Sequence, residues 1–275
     1  MRAPFLMMTI FSCIATLHAA PTFQLGFDGH GLTMSTNMVQ PVYHSPTQAL
    51  FLQLHAERGS GFLTSGYLQN VINIGWVGRT TVPSGVFGAN SFVDFGFESR
   101  NNEWISAQRL GFGVDYLQSN AQLHMNGYLP LGGQRKKLDE HLGLRIQPGI
   151  DVSFDVIGST MPIRLRTGLA YWQHLGLETF ARLAYEQSCS YLKETYVSGR
   201  YGMDSRYETQ PQAFQYAVGV SFNVLKNNDC AASSKQGFDP ASHLFDAVVR
   251  DFRVRVETEA PATTSNRSVQ VTIEG

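Results

Sequence analysis

From residue 49 to about residue 225, apolar side chains recur at every second position. Only an extended strand places residues i, i+2 and i+4 on one face, so this period excludes helices over most of the chain. Leu50, Leu52, Leu54 and Ala56 share a face, with Phe51, Gln53, His55 and Glu57 opposite. Phe87, Ala89, Ser91, Val93, Phe95 and Phe97 oppose Gly88, Asn90, Phe92, Asp94, Gly96 and Glu98. Ile150, Val152, Phe154 and Val156 oppose Asp151, Ser153 and Asp155, and the series ends with Phe214, Tyr216, Val218, Val220, Phe222 and Val224. The breaks carry turn residues, such as Pro83-Ser84-Gly85, Ser119-Asn120 and Gly158-Ser159-Thr160. An antiparallel meander of about ten strands follows, with weaker strands over 67–78, 177–186 and 190–201. One or two more fit before residue 49, giving ten to twelve.

Two closed structures show such alternation, and they differ in which face is wet. A soluble barrel hides its apolar face; a membrane barrel turns that face to lipid and lines its lumen with the polar one. Hydrophobic residues make up 43% of the 275-residue chain and charged residues only 16%, against about 25% in ordinary globular domains. The polar face holds Gly, Asn, Ser and Gln, with only 5 Lys in the whole chain, whereas a solvated surface carries interspersed charge. The strand lengths suit tilted membrane crossings of about 9–11 residues. Phe87, Phe97, Tyr116, Tyr128, Tyr171, Trp172 and Phe214 sit near strand ends, where interfacial aromatic girdles form. The expected fold is therefore all-β: an antiparallel transmembrane β-barrel in contact with outer-membrane lipid. A formal net charge of −1 lacks the basic footprint of nucleic-acid binding.

The ends of the chain read differently. Arg2, the apolar run from Pro4 to Leu17 and Leu17-His18-Ala19-Ala20 compose an export leader. Cleavage is expected after Ala19, because Pro21 disfavours the next bond. Cys13 as a lipoprotein cysteine is the weaker alternative, since Phe11 is bulky where a small residue is usual. Cys189 and Cys230 remain and could pair, but two cysteines make no disulfide framework. The expected organisation is a leader over 1–19, an N-terminal segment over 20–48, the barrel over 49–225 and a tail over 226–275. In the tail, Asp239 and Pro240 suit a helix start, and apolar residues at 244, 245, 248 and 249 suggest a helix over 240–250. Phe252 to Glu257 alternates, and 258–268 has linker composition.

The polar face has chemistry of its own. Asp151 and Asp155 on one strand are expected to meet Arg164 and Arg166 on the next as lumenal ion pairs. Across the hairpin 110–129, Gly111 and Gly113 are expected opposite Asn126 and His124. Inward glycines either leave room for a threaded segment or let the wall curve. No HExxH, EF-hand loop or P-loop is present, and Gly111-Phe112-Gly113 lacks the third glycine of a dinucleotide site. His141 and His174, near Asp139, Glu140 and Glu178, are the only groups placed for a rim hydrolase, and solvated loop residues explain them more simply. No catalytic, cofactor-binding or metal-binding residue is assigned, and no cofactor is implied.

Three motifs in order carry a family resemblance. Phe87 to Phe95 contains Gly88, Asn90, Phe92 and Asp94; Arg109 to Tyr116 contains Gly111, Gly113 and Asp115; Asn126-Gly127-Tyr128 follows. The order resembles the β-domain of inverse autotransporters, the intimin and invasin family, whose pattern is G-x-N-x-F-x-D, R-x-G-x-G-x-E-Y and N-x-Y. Asp115 stands where that pattern has Glu. The resemblance implies a twelve-stranded outer-membrane barrel in a Gram-negative cell, inserted by the barrel-assembly machinery. It also implies a C-terminal segment threaded through the pore that displays adhesion domains. Only residues 225–275 follow Val224 here, while an immunoglobulin-like domain takes about 100 residues. A translocator or anchor with a short displayed tail is thus expected, with a cell-surface or host ligand that the sequence does not identify. Arg250, Arg253 and Arg255 would meet lumenal acids if the tail threads the pore; a weakly packed periplasmic or extracellular tail is the alternative. A passive outer-membrane pore and, less favoured, a barrel hydrolase are the rival functions.

Overall fold

The computed structural model describes residues 21–28, 31–59, 68, 70–100, 103–132, 135–137, 143–158, 161–173, 175–186, 192–202, 214–223, 239–251 and 254–259. The expected leader, Cys189, Cys230, His141, His174, Asp139, Glu140 and the stretch 260–275 lie outside them. The strands are β1 (Thr22–Asp28), β2 (Gly31–His44), β3 (Gln48–Arg58), β4 (Asn70–Val82), β5 (Gly85–Arg100), β6 (Glu103–Leu117) and β7 (Ala121–Leu131). Then come β8 (Arg135–Lys137), β9 (Gly143–Ile146), β10 (Gly149–Ile157), β11 (Ile163–Trp172), β12 (Gly176–Glu186), β13 (Leu192–Gly202), β14 (Phe214–Asn223) and β15 (Val256–Glu259).

Twelve of these strands close a barrel in the order β1 to β7, then β10 to β14, with β14 returning to β1. Every neighbouring pair is antiparallel, and closure is made by the ladder from Thr22↔Asn223 to Asp28↔Ala217. Closure removes free edges, so every strand of the wall finds backbone partners on both sides, as lipid demands. The barrel starts at Thr22 rather than at residue 49: β1 and β2 are the two strands for which the sequence left room before that point. In β1 the alternation runs for only seven residues, and in β2 Thr33, Ser35 and Thr36 put hydroxyls on both faces, which blurs the period.

Burial along the strands fixes which face meets the membrane. On β10, Asp151, Ser153 and Asp155 are buried, while Ile150 is 57% exposed, Val152 38%, Phe154 43% and Val156 47%. The same inversion places Trp76, Phe112, Leu129, Leu169 and Val218 outside and Gln53, Asn73, Asp94, Arg109 and Gln122 inside. Water would penalise an apolar belt of this extent at about 25 cal/mol per Å²; acyl chains impose no such cost. At one rim all connections are short, at 45–47, 83–84, 118–120, 158–162 and 187–191, while at the other the three longest, 59–69, 132–148 and 203–213, lie among short ones. Outer-membrane barrels carry short turns on the periplasmic side and long loops outside, which orients the molecule. Not every end-of-strand aromatic joins a girdle. Phe87 and Tyr171 face outward, but Tyr128 and Trp172 are 1% and 0% exposed and point into the lumen, because they share parity with Asn126 and with Ala170.

Candidate functional site

The lumen is occupied by the chain's own tail. At the inner rim, Asp239 caps a single 3₁₀ turn, Pro240–His243, accepting a 3.1 Å hydrogen bond from the amide of Ala241. The Arg79 guanidinium holds the turn in place: it donates to the carbonyls of His243 (3.0 Å) and Asp246 (2.6 Å), and to the Asp115 carboxylate (2.6 Å). Leu244 packs among Ala49, Val86 and Leu117, and Val248 among Phe51, Val77 and Phe92.

Beyond the turn the tail is irregular over 246–251, with a bend at Arg250, instead of forming the helix expected over 240–250. The wall explains this. A helix would satisfy backbone groups internally, but here side chains of the barrel claim them. The Val248 amide donates to Gln53 Oε1 (2.9 Å), and Asn126 Nδ2 donates to the Val249 carbonyl (3.1 Å). The Asp251 amide donates to the Tyr128 hydroxyl (2.9 Å), and Arg109 Nη2 donates to the Asp251 carbonyl (2.7 Å). The apolar residues at 244 and 248 are spaced for a helix, yet each has its own slot on the wall.

The middle of the seat is ionic. Asp94, fully buried, accepts from Arg109 Nε (2.8 Å), from Asn73 Nδ2 (2.9 Å) and from Arg250 Nη2 of the tail (2.6 Å). The Arg250 guanidinium also lies 4.6 Å from the Phe92 ring centre and 5.1 Å from that of Tyr128. It occupies the space over Gly111, where any Cβ would strike it. The inward glycine therefore makes room for the threaded segment, and at Gly96 the neighbour a Cβ would meet includes Val254 of the tail. On the opposite wall Arg200 pairs with Asp251 (3.0 Å) and with Glu178 (2.7 Å). Glu178 also accepts from Trp172 Nε1 (3.0 Å) and pairs with Arg255 (2.9 Å), whose guanidinium sits 5.3 Å from the Trp172 ring centre.

At the outer end Val254 is buried with Leu68, Val71, Ala107 and Ile146. The tail then becomes β15, which adds to the edge of β9 in a three-stranded sheet ordered β15-β9-β8. It has thus passed from the rim of short turns to the rim of long loops. Beside it, toward β11–β14 and β1–β2, a cavity of about 590 Å³ remains, lined by groups such as Gln24, Glu57, Arg164, Arg182 and Tyr196.

Two registers differ from those the sequence suggested. Gly111 faces Tyr128 and Gly113 faces Asn126, leaving His124 opposite Asp115. The turn there closes through the Gln118 amide and the Ala121 carbonyl (2.8 Å), around the expected Ser119-Asn120, so each residue of β6 meets a partner on β7 two residues later than expected. Between β10 and β11, Asp155 faces Arg166 and Asp151 faces Ala170. Asp155 therefore makes the expected fork with Arg166, two bonds of 2.7 Å, and lies 3.5 Å from Arg164. Asp151 takes no arginine from β11; it accepts from Asn126 Nδ2 (2.9 Å) and from the Tyr128 hydroxyl. Glu178 belongs to the tail seat. Arg79, Gln53 and Arg200 were not singled out by motif, although each sits at an inward parity of its strand. The motif residues Phe92, Asp94, Arg109, Gly111, Asn126 and Tyr128 converge on the threaded tail.

Comparison with known proteins agrees with this architecture. An attaching and effacing protein homolog of Escherichia coli (strain K12) is 28% identical over 184 residues, covering 67% of this chain and 52% of that protein. The chain thus spans about half the length of this curated relative. A membrane-protein structure from a study of in-meso crystallization superimposes with a TM-score of 0.59 at 18% identity, covering 88% of this chain and 100% of the other. The outer membrane phospholipase A of Escherichia coli aligns more loosely, with a TM-score of 0.48 at 11% identity over 78% of this chain and 97% of that one. Residues 9–182, well over half of the chain, match the family model of the inverse autotransporter β-domain; the protein is an outer-membrane β-barrel that belongs to that family.

Proposed function

We propose that the barrel is both conduit and anchor for its own C-terminal segment, carrying it from the periplasm to the cell surface and then holding it there. The observation that carries this reading is the path of residues 239–251 and 254–259, which lead from the rim of short turns to the rim of long loops. A passive pore has no need of a seat that matches one segment with buried ion pairs and backbone hydrogen bonds. The attaching and effacing name of the Escherichia coli relative suggests that a displayed segment serves attachment. Insertion by the barrel-assembly machinery is part of the same proposal.

Single-channel conductance in planar bilayers tests it. The intact chain is expected to pass only small currents, through the cavity beside the tail. A chain ending at residue 238 should pass large, steady ones. Equally large currents from both would favour the passive pore and overturn the conduit reading.

A further inference from the structure

Arg250 and Asp251 are adjacent, and their side chains are held by opposite walls of the lumen. Arg250 points to the β5–β7 wall, where its side chain, 1% exposed, meets the fully buried carboxylate of Asp94. Asp251 points the other way, to Arg200 on β13, with side-chain exposures of 7% and 17%. We propose that these two walls form a peptide-binding subsite selective for a basic residue followed by an acidic one, and that this subsite arrests the moving tail at one register. The proposal rests on the conduit reading above and adds to it a recognition step: the tail stops where its charges match the walls.

The walls discriminate strongly between registers. A slip outward by one residue puts Val249 beside Asp94 and Arg250 beside Arg200. A slip inward by two puts Phe252 beside Asp94 and Arg253 beside Arg200. Either takes the second guanidinium from Asp94 and sets an arginine of the tail against Arg200, and such a like-charge juxtaposition is far costlier than a lost surface pair. The slot is also shaped for its occupant. Gly111 has no side chain to obstruct the guanidinium, and Phe92 and Tyr128 flank it with aromatic faces suited to a planar cation. The Tyr128 hydroxyl and Arg109 bind the backbone of Asp251 beside the slot, so the recognised dipeptide is held by main chain as well as by charge.

The test reads register directly by cross-linking the full-length chain in outer membranes, in a Cys189→Ser, Cys230→Ser background. Leu144 and Thr258 are Cα partners between β9 and β15, so cysteines at both report the observed register. Cysteines at 144 and 256 report a tail displaced outward by two residues, and cysteines at 144 and 260 one displaced inward by two. Reversing the tail charges with Arg250→Asp and Asp251→Arg should lower the 144–258 cross-link about tenfold or more, while Arg250→Lys largely retains it. Only molecules with the heat-modifiable mobility of a folded barrel are scored. If the double reversal does not fold, Asp251→Arg alone is judged by the same criterion. A reversed tail that cross-links at 144–258 as efficiently as the unaltered one overturns the subsite. The conduit reading would survive that result if a protease site after Glu259 were still cut from outside the cell, and would fail if the unaltered tail were not cut at all.

Discussion

Asp94→Ala should destabilise the folded barrel by about 3–5 kcal/mol, the usual cost of removing one partner from a buried ion pair. The reason is local. Asp94 is the shared acceptor for Arg109 of the wall, Arg250 of the tail and Asn73 of β4. With the carboxylate gone, the two buried guanidiniums of Arg109 and Arg250 lose the acceptor they share. Urea-induced unfolding in detergent micelles, followed by loss of heat-modifiable mobility, gives the difference. Asp155→Ala removes a fork whose Arg166 side chain is 18% exposed and whose neighbour Arg164 also pairs with Glu186, so water and Glu186 soften its loss. It should cost distinctly less than Asp94→Ala. Equal effects would mean that the tail does not seal the Asp94 site.

The outer face yields the second large effect. Val152 lies near the middle of β10 and faces outward, and Val156 faces outward close to the inner rim. In a bilayer, arginine at mid-depth costs about 2–4 kcal/mol, falling to about 0–1 kcal/mol near the interface. Val152→Arg should therefore be much the more damaging of the two when refolding is measured in phospholipid vesicles. An outer face in water would give the opposite pattern of indifference, since exposed substitutions there change stability by about 0.5 kcal/mol or less at both positions. Similar small effects at both sites would contradict the lipid-facing assignment.

The faces were legible because parity along a strand is a property of the sequence alone. Once Leu123 and Met125 oppose Gln122, His124 and Asn126, the lumen lining of β7 is set whatever the register. Register was less legible, because it depends on how a turn closes. At 118–121 a bond between the Gln118 amide and the Ala121 carbonyl moved Gly113 from His124 to Asn126. The tail was misread for a related reason. Leu244 and Val248 are spaced for a helix, but isolated helices of about a dozen residues gain little on their own, and Gln53, Asn126 and Tyr128 offer the backbone better partners. The three motifs marked the site more clearly than its chemistry did. Their alternate residues line one side of the lumen, and their meaning appears only when Arg250 is seen filling the space over Gly111. Glu178 and Arg200 lay outside any motif, so only their inward parity on β12 and β13 hinted at a role.

The passage of the tail from one side of the membrane to the other can be measured on living cells. With a site-specific protease sequence inserted after Glu259, protease added outside intact cells should cut the chain while leaving a periplasmic marker whole. Cutting that appears only after the outer membrane has been permeabilised would mean that the segment ends inside the cell envelope, contrary to a tail threaded through the barrel.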